Sequence, residues 1–254
     1  MSRLCTIILT KNEEKDIEAA IQNAWQCADE VLVVDSGSTD RTVELAEKKG
    51  AKVAYRVWDN DFAAQRNFAL DKTTADWVLY LDADERLNGQ LAKRICDIKA
   101  ADAKEATMKK QYSFQRKTVA FGKKFGYGPL HPDWVPRLFP RESVTWVGKV
   151  HEHPECKLPL EKLPGHVEHY TYKNWQEWAD KMSKYSSIWA EEAYKNGRRT
   201  TLPETLGHGI GSVFSMLVVQ RGFMDGWMGI CLSCMYCFYT MQKYLKLHEM
   251  QNET

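Results

Sequence analysis

The chain has 254 residues, 44% of them apolar and 27% charged, which suits one large α/β domain or a domain with an appendage and excludes a disordered chain. Its net charge of +1 argues against broad electrostatic binding of nucleic acid. Seven cysteines, an odd number without framework spacing, point to reduced thiols in the cytoplasm.

In chain order, "MSRLCTIILTKNEE" carries too short an apolar run for a signal peptide and suits a first strand, "LCTIILT". "EKDIEAAIQNAWQ" has apolar residues at helical spacing, and "EVLVVDS" is a second buried strand. "STDRTVELAEKKG" predicts a helix with polar cap residues in front and Gly50 behind. "AKVAYRV" follows as a strand, "DFAAQRNFALDKT" as a helix, and "WVLYLDAD" as a fourth strand. This alternation predicts an α/β fold with a mostly parallel, doubly wound sheet, whose ligands bind beyond the carboxyl ends of the strands. Three of those ends carry polar groups, at Thr10 to Glu13, Asp35 to Asp40 and Asp82 to Glu85, so they are expected to meet at one crevice.

Beyond Arg86 the rhythm changes. Residues 88–105 suit an amphipathic helix, and the Gly-, Pro- and aromatic-rich stretch from Tyr112 to Pro140 suits extended hairpins and loops. From Lys173 onward the pattern is helical, giving a catalytic domain over 1–172 (halves 1–90 and 91–172) and a C-terminal helical region over 173–254. "GIGSVFSMLVV" and "GWMGICLSCMYCFYTM" are strongly apolar, yet each is shorter than a bilayer span. With Trp227, Tyr236, Tyr239, Tyr244, Lys243 and Lys246 nearby, residues 205–247 suit a patch lying on a membrane surface, the other reading being a buried helical hairpin.

The acidic cluster in "WVLYLDADERL" admits several chemistries. A calcium-binding EF-hand loop starting at Asp82 fails, because Leu87 and Lys93 stand where Gly and Glu are needed. An aspartyl-nucleophile phosphatase fits in part only, since Arg86 occupies a position where that pattern wants Thr or Val. Helix capping is a structural alternative. A hard-cation site completed by substrate phosphates uses the same residues, and Mg²⁺ or Mn²⁺ suits such oxygen ligands.

Taken in order and spacing, "TIILTKNEE", "VLVVDSGSTDRT", "AAQRNFAL" and "WVLYLDADE" resemble the inverting family 2 glycosyltransferases of GT-A fold. The later "RLF", "WVGKVHEH" and "HYTY" segments are similar to the branch of lipopolysaccharide-core β-1,4-glucosyltransferases. The resemblance implies a UDP-sugar donor, with UDP-glucose first, and a lipopolysaccharide-core or other lipid-linked glycan acceptor. With the apolar stretches of 205–247 and the reduced thiols, the expectation is an enzyme peripheral to the inner face of the cytoplasmic membrane. By position, Thr10, Asn12 and Glu13 would line the nucleotide pocket, Asp35 would accept a hydrogen bond from uracil, and Arg66 and Asn67 would face the nucleotide or its phosphates. Asp82, Ala83 and Asp84 would form the DxD, with Asp82, Asp84 and a late histidine, His169, around the metal.

Glu152 would be the general base, with His151 orienting it or touching the donor phosphate. Each assignment has a plain alternative: Asn12 and Asp35 suit turns, Asp40 a helix cap, Arg66 a surface charge, Trp134 and Trp146 packing as well as sugar stacking. Arg137 suits either a diphosphate contact or a structural ion pair. His151 and His153 lack the further ligands zinc needs, and Cys231, Cys234 and Cys237 suit buried thiols of an apolar helix better than a cluster site. A nucleotide-sugar-binding protein without transfer, or a metal-dependent phosphohydrolase, are the alternative functions.

Overall fold

The computed structural model describes residues 2–102, 109–148 and 152–252. The first strands are β1 (Leu4–Thr10), β2 (Glu30–Asp35), β3 (Lys52–Tyr55) and β4 (Trp77–Asp82), alternating with α1 (Ile17–Ala24), α2 (Thr42–Lys48) and α3 (Phe62–Leu70). They are parallel, in the order β3-β2-β1-β4. A parallel strand is covered on both faces, which is why "LCTIILT" and "WVLYLD" are almost unbroken apolar runs.

Alternate residues serve opposite faces. Ile7, Leu32 and Tyr80 pack with Ala63 and Ala69 of α3, while Ile8, Val31 and Val33 pack with Ile17 and Ile21 of α1 and Leu45 of α2.

Past β4 the sheet continues with other directions. It adds β5 (Glu85–Leu87), β6 (Gln111–Ala120), β8 (Asp133–Pro140) and β11 (Leu160–Tyr172), in the order β4-β8-β6-β11-β5, with β7 (Lys123–Lys124) pairing β6. β4 with β8, β6 with β8 and β11 with β5 are antiparallel. α4 (Gly89–Asp102) covers this part through Leu91 and Ile95, which pack on Leu79, Phe114 and Val167. A separate hairpin pairs β9 (Thr145–Val147) with β10 (His153–Glu155).

By contacts the chain divides into two compact units, one of Met1–Arg116 and Asp133–His169, the other of Lys117–Pro132 and Tyr170–Thr254. The second unit is mainly helical, with α5 (Trp175–Lys195), α6 (Leu202–Phe214), a π-helical turn over Ser215–Val219 and α7 (Gly226–Asn252). Its core joins Phe125, Leu130, Trp178, Met182 and Leu232. The buried Asp225 carboxylate accepts from the Gly126 and Tyr127 N–H groups, and its carbonyl accepts from Lys123.

A capping box starts α6: the Thr201 hydroxyl accepts from Glu204 N–H, and Glu204 accepts from Thr201 N–H. Among the described residues no helix is long and apolar enough to cross a membrane. Cys231 and Cys234 lie on α7 but are exposed, which corrects the expectation of buried thiols.

Candidate active site

Register alone gathers the polar strand ends. Thr10 pairs across from Asp35, and Leu9 from Asp82, so the ends of β1, β2 and β4 share one edge of the sheet. A cavity of about 430 Å³ opens there. Of the residues expected from sequence, Thr10, Glu13, Arg66, Asp82, Ala83, Asp84 and Glu152 line it.

Three expected residues are used elsewhere. The Asp35 carboxylate is buried and turned into its own loop, where it accepts from the N–H groups of Gly37 (2.9 Å) and Ser38 (3.0 Å) and from the Ser38 hydroxyl. Gly37 permits this turn with φ of +94°. Ser36, not Asp35, lines the cavity. Asn12 adopts a left-handed backbone (φ 59°) and ties two loops together, its side-chain oxygen accepting from Thr39 N–H at 2.8 Å. Asn67 holds the backbone of Trp146 at both ends: its amide donates to the carbonyl at 2.8 Å and its oxygen accepts from the N–H at 2.9 Å. Asn12 and Asp35 thus make the turn contacts open to them, and the Asn67 side chain cross-links a backbone. His151 lies outside the described residues.

Arg66 is the hub of the cavity wall. α3 starts at Asp61, whose side chain accepts from Ala64 N–H, and Ala63, Arg66 and Ala69 fall on its inward face at intervals of three. Arg66 is 4% exposed, and its guanidinium lies over Trp146, 4.6 Å from the ring centroid. Its Nη2 sits 3.4 Å from Asp82 Oδ1 and 3.4 Å from Glu152 Oε1, so one cationic group bridges the DxD and the candidate base. Burial and the neighbouring Arg137 pull its pKa below the ordinary value. Its Nε and Nη1 have no acceptor among the described residues. Trp146 is buried against Tyr80 and Phe139, which gives it a packing role.

Beneath the cavity floor is a charge network in which Arg137 takes the ion-pair role open to it in the sequence. Arg137 Nη2 donates to Asp82 Oδ2 at 3.0 Å and lies 3.6 Å from Glu85 Oε1, with Arg116 Nη1 3.8 Å from the same oxygen. Glu85, 1% exposed, also accepts from Asp82 N–H at 3.0 Å. Burial works to raise the Asp82 carboxyl, but Arg137 and Arg66 outweigh it and hold the group well below the usual carboxylate range. For Glu85 burial wins and the pKa rises. Glu85 is thus a buried brace under the DxD, and Arg137 its counter-ion.

Asp84 points to a different partner. Its Oδ2 is 3.1 Å from His169 Nε2, brought there because His169 on β11 pairs across from Glu85 on β5. Burial works to lower the His169 pKa, and the Asp84 carboxylate reverses this and raises it. The two aspartates therefore differ: Asp82 is neutralised by arginines, whereas Asp84 and His169 form a carboxylate–imidazole pair.

Trp58, Phe62 and Gln65 line the cavity without having been expected. Trp58 and Phe62 meet edge to face at 4.6 Å, and Gln65 donates to the carbonyls of Arg56 and Val57. The available signal was β3 itself: a parallel strand ends at the same edge as its neighbours, so the loop after it had to reach the crevice too.

The chain has relatives among known proteins. The family model described as glycosyl transferase family 2 matches residues 5–147. An uncharacterized glycosyltransferase of Rickettsia typhi is 28% identical over 260 residues, 98% of this chain and 88% of its own. The SPbeta prophage-derived glycosyltransferase SunS of Bacillus subtilis is 27% identical over 155 residues, 58% of this chain and 33% of its own. Among solved structures, glucosyl-3-phosphoglycerate synthase of Mycobacterium tuberculosis, in complex with Mn²⁺, UDP and glucosyl-3-phosphoglycerate, matches at 22% identity over 47% of this chain and 44% of that one, with a TM-score of 0.34. The α/β sheet with its helical C-terminal part is of GT-A type, and the chain belongs to glycosyltransferase family 2.

Proposed function

We propose that the protein transfers a hexose, glucose first, from a UDP-sugar to a hydroxyl of a lipid-linked glycan such as lipopolysaccharide core, with inversion at the anomeric carbon. The observation that carries this reading is one cavity wall on which Arg66 joins Asp82 of the DxD to Glu152. Inverting transfer needs a base on the acceptor side and positive charge on the diphosphate side. Glu152 takes the acceptor proton as the acceptor oxygen bonds to the anomeric carbon, and the bond from that carbon to the diphosphate breaks. Arg66 has two buried N–H groups without acceptors among the described residues, donors of the kind a diphosphate satisfies. The glucose and lipopolysaccharide assignments rest on the "RLF", "WVGKVHEH" and "HYTY" segments.

A divalent ion fits this donor set at one place. Asp84 and His169 present a carboxylate oxygen and an imidazole nitrogen 3.1 Å apart, whereas Asp82 is already committed to Arg66 and Arg137. Among the described residues no three His, Cys, Asp or Glu side chains gather as a complete metal site, so the remaining ligands would be donor phosphate oxygens. Mn²⁺ or Mg²⁺ held there would offset the charge that develops on the departing diphosphate.

The test is a donor screen that follows both UDP release and the fate of the sugar, with and without Mn²⁺. Release that requires an acceptor, with the sugar recovered on it, is the expected result. Sugar recovered only as the free hexose would make the protein a hydrolase, and saturable donor binding without release would make it a binding protein.

A further inference from the structure

Helix α6 turns an apolar stripe to solvent. Leu202, Leu206, Ile210 and Phe214 recur every four residues, the spacing that stacks side chains on one face, and Ile210 and Phe214 are 70% and 61% exposed. Beyond the π-helical turn the exposed apolar surface resumes at Phe223 and at Trp227, which is 68% exposed. Between Thr205 and Gln242 the only full charges are Arg221 and Asp225, and Asp225 is buried under backbone N–H groups. An exposed apolar surface with Arg221 as its one exposed full charge marks an interaction site.

Cations stand at both ends of this stripe. Arg221 follows the π-helical turn, and Arg198 and Arg199 precede α6. Arg198 lies over the rings of Trp189 and Tyr244, and Lys243 of α7 lies over Trp189 from 5.1 Å. Burial and then Arg198 lower the Lys243 pKa. None of these four cations has a carboxylate partner among the described residues, and the nearby Glu204 is engaged in the α6 cap.

We propose that α6 and the turn through Trp227 lie flat on an anionic phospholipid surface, with Ile210, Phe214 and Trp227 in the acyl boundary and Arg198, Arg199, Arg221 and Lys243 at the phosphate layer. A helix with an apolar face and basic flanks takes this position, its cations reaching the headgroups. A second copy of the chain fits less well. Both ends of the stripe are cationic, so two-fold pairing in either direction sets cation against cation, whereas anionic lipid neutralises both.

The surface differs from the one expected from sequence. Tyr236 packs on Trp178, Tyr244 is buried between Trp189 and His208, and Lys246 donates to Ser183 and to the hydroxyls of Ser186 and Ser187. Those three residues are engaged within the helical unit, and α6 supplies the contact instead. The proposal rests on this surface and is independent of the transfer chemistry.

The full chain is sedimented with phosphatidylcholine vesicles, with and without phosphatidylglycerol. Wild type partitions to the phosphatidylglycerol vesicles. The Ile210→Asn/Phe214→Ser/Trp227→Ser variant, with an unchanged circular dichroism spectrum, loses about a hundredfold or more in partitioning, as expected when three large apolar side chains no longer leave water. Arg199→Gln/Arg221→Gln lowers partitioning in a salt-dependent manner. Equal partitioning of wild type and the apolar variant, or indifference of wild type to phosphatidylglycerol, overturns the proposal. So does a dimer in lipid-free sedimentation velocity that the apolar variant converts to monomer, since a second copy then covers the face.

Discussion

Replacing Arg137 with Met removes the counter-ion beneath the DxD. In the native protein its Nη2 lies 3.0 Å from Asp82 and 3.6 Å from Glu85. At an effective dielectric of about 20, each contact is worth about 5 kcal/mol of gross attraction, most of which is offset by desolvation of the buried charges. Removing one partner keeps the desolvation and discards the attraction, a loss of roughly 3–5 kcal/mol. Arg66 still reaches Asp82 at 3.4 Å and Arg116 reaches Glu85 at 3.8 Å, which places the expected loss at the lower end. Urea unfolding followed by tryptophan fluorescence measures it, as a midpoint shift of about 1–1.5 M for a slope near 2–3 kcal/mol/M. The double variant Arg137→Met/Glu85→Gln regains much of the loss, because an uncompensated buried charge is gone. A single-variant shift under about 0.3 M, or a double variant no better than the single, refutes the reasoning.

Three further outcomes follow from the same coordinates. Asn67→Ala leaves the Trp146 backbone without both of its side-chain partners and destabilises by about 2–3 kcal/mol in urea unfolding; a loss below about 0.5 kcal/mol contradicts the cross-link. Burial pushes the Cys5 and Cys27 thiols up to about 12, above their ordinary value, so both stay protonated at neutral and mildly alkaline pH. Iodoacetamide at about pH 8 should therefore modify the exposed Cys231 and Cys234 first, and comparable labelling of Cys5 or Cys27 in the native protein rejects this. Asp84→Asn or His169→Ala raises the Mn²⁺ concentration needed for half-maximal UDP binding by on the order of tenfold or more, read by calorimetry. An unchanged Mn²⁺ requirement removes that pair from the metal site.

Much of the frame was legible because parallel strands are apolar on both faces. "LCTIILT", "EVLVVD" and "WVLYLD" announce themselves, and their shared direction brings Thr10, Asp35 and Asp82 to one edge. The loop after β3, with Trp58, obeys the same rule. Of the charge network only an ion-pair role for Arg137 was legible, and its partners were not. Arg137 meets Asp82 across 55 positions of sequence, and Glu152 meets Arg66 across 86, pairings that only the folded sheet and hairpin create. Neighbours in sequence also part company: Asn67 turns inward to a backbone while Arg66 turns to the cavity. Tyr244 and Lys246 have interface chemistry by type but are consumed by neighbours on α5 and α6.

The central claim, that Glu152 takes the acceptor proton, is tested most directly by Glu152→Gln. The amide keeps the shape of the side chain beside Arg66 and cannot accept the proton. With the donor and acceptor found by the screen, single-turnover product formation should fall by about 10²–10⁴-fold, the usual contribution of a general base. Donor affinity should stay within a few-fold of wild type, about 1 kcal/mol. Transfer by the variant within about tenfold of wild type would contradict the assignment of the base to Glu152.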